Sequence, residues 1–126
     1  MGYTYDTGAL IAAGRGEPHM WRRHEALLRH GILPVAPAGV VAQAWRGGSR
    51  QARLARLLTG CDVEVLDAEQ ARAVGALLGK AGAADVVDGC VAEGALRRRD
   101  VVVTSDPDDL LALAAALNRH LEVERP

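Results

Sequence analysis

Short runs of β-branched and apolar residues alternate along the chain with segments whose apolar positions recur at helical spacing. The runs Tyr3–Asp6, Ile32–Ala36, Val63–Leu66, Val101–Thr104 and Leu121–Glu124 read as strands. Between the first two, Met20, Trp21, His24, Leu27 and Leu28 share one face of a helix over residues 17–30. Further helices are predicted over residues 8–13, 38–45, 50–58, 85–98 and 107–118. Asp67, followed three residues later by Gln70, reads as a capping box opening a helix to about Lys80. Strands separated by helices make parallel βαβ units with right-handed crossovers. The pattern therefore predicts an α/β fold: three α/β/α layers around a short, mostly parallel central sheet of five strands, with residues 1–126 as one domain.

In such sheets ligands bind beyond the carboxyl ends of the strands, where the strand order reverses. Asp6 follows the first predicted strand and Asp106 the fourth, so if those strands are neighbours both carboxylates enter one crevice. Asp88, in the helix leading to the fourth strand, can reach the same edge. Each aspartate also has a local reading. Asp106 before Pro107, with Asp109 three residues on, has the order of an N-cap, a first-turn proline and a first-turn acid. Asp85 and Asp88 show the same cap spacing. Asp6 precedes Thr7, itself a good cap for residues 8–13, so a cap role at Asp6 gains little. Taken together, the acids fall on one predicted edge. Close carboxylates repel and raise one another's pKa unless a cation neutralises them. Mg²⁺ or Mn²⁺ suits that donor set, and such an ion activates water and braces charge on a phosphoryl oxygen.

Composition narrows the partners. Net charge is −1, so no global field draws the molecule to a polyanion, and any nucleic acid needs a local patch. Of 15 basic residues only Lys80 is lysine, and Phe is absent, which points to a GC-rich bacterial genome, such as an actinobacterial one. Cys61 and Cys90 have no metal-ligand spacing and are too few for a disulfide framework, and Cys90, in an apolar helical run, reads as a packed thiol. The longest uncharged stretch, residues 31–45, is broken by Pro34 and Pro37, so no membrane span is expected. Without a visible signal peptide, the cytoplasm is the expected compartment.

At its acidic stretches the chain resembles PIN-domain ribonucleases, the fold of the toxins in VapBC-type toxin–antitoxin pairs. The resemblance runs over essentially the whole length. It is carried by Asp-Thr-Gly-Ala-Leu-Ile-Ala at 6–12, by Pro37 through Val-Ala-Gln-Ala-Trp-Arg at 41–46, by Asp85 to Ala92, and by Thr-Ser-Asp-Pro-Asp-Asp-Leu at 104–110. It implies a Mg²⁺- or Mn²⁺-dependent endoribonuclease that forms no covalent enzyme intermediate. Asp6, Asp88 and Asp106 would be the catalytic acids and metal ligands, and Asp109 an auxiliary ligand or an orienter of water. Thr7, Thr104 and Ser105 would hydrogen-bond around them. The resemblance also implies an antitoxin laid over the groove beside residues 17–30 and 50–58, and homodimerisation is common among such domains.

One position departs from the family. Where glutamate is usual in the second stretch, this chain has Gln43, which keeps an acceptor oxygen but loses the charge and cannot act as a base. A natural variant, an engineered inactivating swap and a degenerate, purely binding member all fit that change. Asp85, one turn from Asp88, could return part of the missing charge.

RNA contact needs positive charge, and Arg46 and Arg53 are the expected phosphate contacts. Arg97-Arg98-Arg99 reads as compensation of a helix dipole. With two Trp, two Tyr and no Phe, no stacking platform is expected. His24 reads as packed or half-exposed and His19, His30 and His120 as surface or cap residues. No Gly-x-Ser-x-Gly occurs, which argues against a serine hydrolase. Two rivals remain beside the nuclease: a catalytically weak domain that binds RNA or an antitoxin, and a phospho-acceptor or phosphatase-like domain. The latter wants a second acid beside the first, which Asp6-Thr7-Gly8 lacks.

Overall fold

Each predicted strand run overlaps a strand, shorter than expected: Tyr3–Tyr5 (β1), Val35–Pro37 (β2), Asp62–Glu64 (β3), Val101–Val103 (β4) and Val123–Glu124 (β5). They come from a computed structural model that describes all 126 residues, the side chain of Arg50 excepted. The sheet order is β3-β2-β1-β4-β5 and every pairing is parallel, so the sheet is wholly rather than mostly parallel. Strand β2 begins three residues later than expected and includes Pro37. Pro34 has no N–H to offer a ladder, and its carbonyl instead accepts from Asp62 N at 2.8 Å, starting the β2–β3 register.

The helices are α1 (Thr7–Gly14), α2 (Pro18–Arg29), α3 (Ala38–Ala44), α4 (Ala52–Thr59), α5 (Ala68–Ala81), α6 (Val86–Arg98) and α7 (Asp108–Ala116). A 3₁₀ turn at Ser49–Gln51 precedes α4 where one continuous helix was expected. From β1 the chain steps to β2 and then β3 in one direction, then returns past both to β4 and steps outward to β5. Right-handed crossovers therefore put α1–α4 on one face and α5–α7 on the other. The packing agrees: α1 contacts α2, α3 and α4, while α5, α6 and α7 contact one another.

On the α1–α4 side Tyr5, Leu10, Met20, Leu54 and Leu57 are fully buried or nearly so; Val91, Leu110 and Leu113 fill the other side. The α2 stripe turns in as expected at Met20, His24 and Leu27. Leu28 does not: it is 40 % exposed, at the rim of the stripe beside Gly60. His24 is buried, its Nδ1 3.0 Å from the Tyr5 hydroxyl, while His19, His30 and His120 lie at the surface. Cys90 is packed, as expected. No helix is long and apolar enough to cross a membrane.

The arginines closing α6 do more than offset a dipole. Arg98 reaches Asp100 (Nε–Oδ2 2.9 Å), Glu64 (Nη1–Oε2 2.8 Å) and the Thr4 hydroxyl (3.0 Å), joining β1, β3 and the start of β4. Arg97 pairs with Glu64 and Glu93. Glu64 also accepts from Gln70 Nε2, so the expected capping box is half-formed: Asp67 caps Gln70 N, but the Gln70 side chain turns to Glu64. Removing one partner of such a group leaves its counter-charge stranded. Asp100, with its side chain only 4 % exposed, would be the stranded one. Arg98→Leu is therefore expected to cost about 3 kcal/mol of unfolding free energy in urea melts.

Candidate functional site

Strand β1 passes into α1 with no loop between them. Asp6 is extended (φ −86°, ψ 174°) and is itself the N-cap of α1, its Oδ1 accepting from Thr7 N at 2.8 Å. Thr7 is thus the first helical residue rather than the cap, and the cap role thought to gain little at Asp6 is the one it performs. This leaves the Thr7 hydroxyl free to donate to Gln43 Oε1 on α3.

Because β1 and β4 are neighbours, with Tyr5 opposite Val103, the residues that follow each strand meet at the switch point. Asp6 N donates to Val103 O at 3.0 Å. Thr104, fully buried, donates its hydroxyl to Asp6 Oδ2 at 2.8 Å, and Thr104 Oγ1 in turn accepts from Asp106 N at 3.0 Å. A single hydroxyl thereby fixes both the first acid and the turn bearing the third. Asp106 is not the N-cap of α7. Pro107 occupies that place with helical φ/ψ and no side-chain cap, while the Asp106 N–H donates to the Thr104 hydroxyl. Asp109 lies in the first turn of α7. Across the crevice Asp85 caps α6, accepting from Asp88 N at 3.0 Å, and Asp88 sits half-buried in the first turn.

Gly8 is a site residue that sequence reading passed over. A Cβ there would lie 2.0 Å from Ser105 Oγ and 2.9 Å from its Cβ, so only glycine lets α1 approach the loop after β4 this closely. The signal was present in the order Asp-Thr-Gly, but it names no partner until β4 is known to lie beside β1.

Asp6, Asp88, Asp106 and Asp109, with Asp85, Thr7, Gln43, Thr104 and Ser105, are thus gathered at one sheet edge. The arginines are less engaged with it. Arg46 Nη1 donates to the Ala42 and Trp45 carbonyls at the C-terminus of α3. Arg53, on α4, lies against Gly16 just past α1, about 12 Å along that helix from Asp6. A separate hollow lined by Glu64, Gln70, Glu93 and Arg97 lies elsewhere on the surface, with its charges already paired to one another.

The carboxylates share one field. The Asp88 carboxyl is pushed from its ordinary 3.8 up to about 6, first by burial and then by the charges of Asp85, Asp6, Asp109 and Asp106. Among the described residues, no three His, Cys, Asp or Glu side chains close on a point as a ready-made ligand cage. The acids ring the crevice instead. Uncompensated carboxylates around an open space suit a hard divalent ion held through a few of them and through water.

A carboxyl whose folded-state pKa is raised binds its proton more tightly folded than unfolded. Its contribution to stability is present below about 4 and is lost as pH rises through about 6. The melting temperature of the metal-free protein, measured across that window relative to Asp88→Asn, is expected to fall with rising pH. An identical profile for the two proteins would show that the acids do not share a field.

Fold and edge together define a parallel α/β domain with a carboxylate-lined crevice at its switch point. No protein-family model matches the chain, and no curated protein sequence does. Solved structures do match. The VapBC2 complex from Rickettsia felis, bound to a DNA fragment from its promoter, has a chain that superposes with a TM-score of 0.72 at 16 % identity, covering 100 % of this chain and 99 % of that one. FitAB bound to an IR36 DNA fragment gives 0.62 at 19 %, over 98 % and 94 %. PAE2754 from Pyrobaculum aerophilum gives 0.60 at 18 %, over 90 % and 84 %. At such identities the fold is what is shared. It is a PIN-like α/β fold, with five parallel strands and seven α-helices.

Proposed function

We propose that the chain is a divalent-metal-dependent endoribonuclease, the toxin of a bacterial toxin–antitoxin pair. The observation that carries this reading is the shared field of Asp6, Asp85, Asp88, Asp106 and Asp109 at the switch point. Asp6, Asp88 and Asp106 would hold Mg²⁺ or Mn²⁺, with Asp109 beside them. When bound, such an ion activates water and offsets charge on a phosphoryl oxygen. The protein's own part is positioning. Thr7 N and the Thr104 hydroxyl fix both oxygens of Asp6, and the same hydroxyl holds the Asp106 turn. Without an ion, burial and the surrounding carboxylates raise the Asp88 carboxyl to about 6, a cost that a bound cation would offset.

A partner of the antitoxin kind is supported by the neighbours VapBC2 and FitAB, both two-component complexes. RNA as substrate, a homodimer and a cytoplasmic setting belong to the same proposal.

Gln43 favours one second reading, a weak nuclease that chiefly binds. Its Oε1 accepts from Thr7, so this neutral side chain orients Thr7 and leaves the metal to the aspartates. Asp85 has one oxygen committed to its cap, and the other remains to supply charge.

With Mn²⁺, wild type is expected to cleave single-stranded RNA, and Asp6→Asn to lose about 10²-fold or more in rate. Gln43→Glu should tighten Mn²⁺ binding in calorimetry and Asp85→Asn should weaken it. Mn²⁺ binding without cleavage would leave the binding module, absence of both would remove the nuclease, and unchanged affinity in Asp85→Asn would end that residue's compensating role.

A further inference from the structure

The aromatic residues are few, and the structure treats them unequally. Tyr5 is buried against His24, and Tyr3 is half-buried. Trp21 is half-buried too, its indole N–H on the Ala13 carbonyl at 2.9 Å and its ring 4.4 Å beneath the Arg56 guanidinium. Trp45 is 41 % exposed and lies outside the core cluster and the residues packed against it. It is the one exposed aromatic side chain among the described residues.

Its backbone, in contrast, is pinned. Trp45 N donates to Val41 O at 2.8 Å, and its carbonyl accepts from Arg46 Nη1 at 2.8 Å. The next two backbone N–H groups, of Arg46 and Gly47, both reach Gln51 Oε1. Gly47 and Gly48 then turn the chain with φ of 77° and 84°, a conformation suited to glycine. A loop this firmly held presents an indole to solvent two residues beyond Gln43, whose side chain touches Thr7 beside Asp6.

Resting on the nuclease reading above, we propose that Trp45, two residues past Gln43, is a base-stacking residue holding an unpaired base of single-stranded RNA whose backbone runs on toward the aspartates. A flat π face accepts the face of any base. Holding the loop in advance lowers the ordering cost of the contact. Stacking on a face reads no base edge, so the grip is sequence-tolerant. This revises the expectation that aromatic scarcity leaves nothing to stack on: one indole suffices if it stands beside the site.

The two tryptophans make the test direct. Trp21→Phe leaves Trp45 as sole emitter and Trp45→Phe leaves Trp21. In EDTA, an unstructured oligoribonucleotide should quench the first protein's fluorescence and not the second's. Trp45→Ala should weaken oligonucleotide binding about tenfold with an unchanged melting temperature, Trp45→Phe should keep most of the affinity, and an abasic oligomer of equal length should bind wild type and Trp45→Ala alike. Unquenched Trp45 emission, or full affinity in Trp45→Ala, overturns the proposal. So does loss of binding to a protein partner in Trp45→Ala with RNA affinity intact, which would assign the indole to a protein interface. Cleavage with Mn²⁺ is measured alongside. Quenching without cleavage sinks the nuclease reading and leaves the stacking role standing; cleavage without quenching does the reverse.

Discussion

The pairing of β1 with β4 is the constraint on which the rest depends. With Tyr5 opposite Val103, Asp6 and Thr104 emerge side by side, and the Thr104 hydroxyl lies within reach of both Asp6 and the Asp106 backbone. A register slip of one residue would turn Thr104 to the other face of the sheet and part the two acids. The helices obey the same constraint. Those following β1, β2 and β4 start at this edge, and α6, running back toward β4, starts there as well. Hence residues from chain positions 6, 43, 88 and 106 become neighbours.

That convergence is costly. Five carboxylates around one crevice repel, and the cost shows at the half-buried Asp88, whose carboxyl burial and the other four push up. The network around Glu64 and Arg98 is the counterpart where charge is balanced: each carboxylate there has a guanidinium, and the cluster ties β1, β3, α6 and β4 together. One group of acids is neutralised and structural, and the other is left unmatched. Sites are found in the second kind of place.

Much of this was legible in the chain. Strand and helix periodicity gave all five strands and seven helices, and parallel βαβ logic gave the layers. The edge where the acids gather also followed, because strand order and ligand position are linked in such sheets. What was not legible depended on pairs distant in sequence. Asp6 looked free because Thr7 is a good cap, yet a strand running straight into a helix makes the single residue between them the cap. Asp106 looked like a cap, but α7 begins two residues later and Asp106 belongs instead to the turn that Thr104 holds. Arg97 and Arg98 gave no sign of Glu64, 33 and 34 residues away. Gly8 needed Ser105, and Trp45 needed knowledge of which aromatics the core would take. Local pattern names the elements; the roles of their end residues are assigned by what comes to lie opposite.

The sheet ends in β3 and β5, each paired on one side only. Two of the three residues of β3, Asp62 and Glu64, are acidic, and Val63 between them is 41 % exposed. Were two copies to meet edge to edge along β3, carboxylates would face carboxylates across the new ladder. An apolar strand left open in this way invites runaway stacking, and here like charge and brevity keep it closed to its own kind. Glu64 is already held by Arg97 and Arg98, so it is the exposed Asp62 that keeps this guard and would greet a strand of opposite charge.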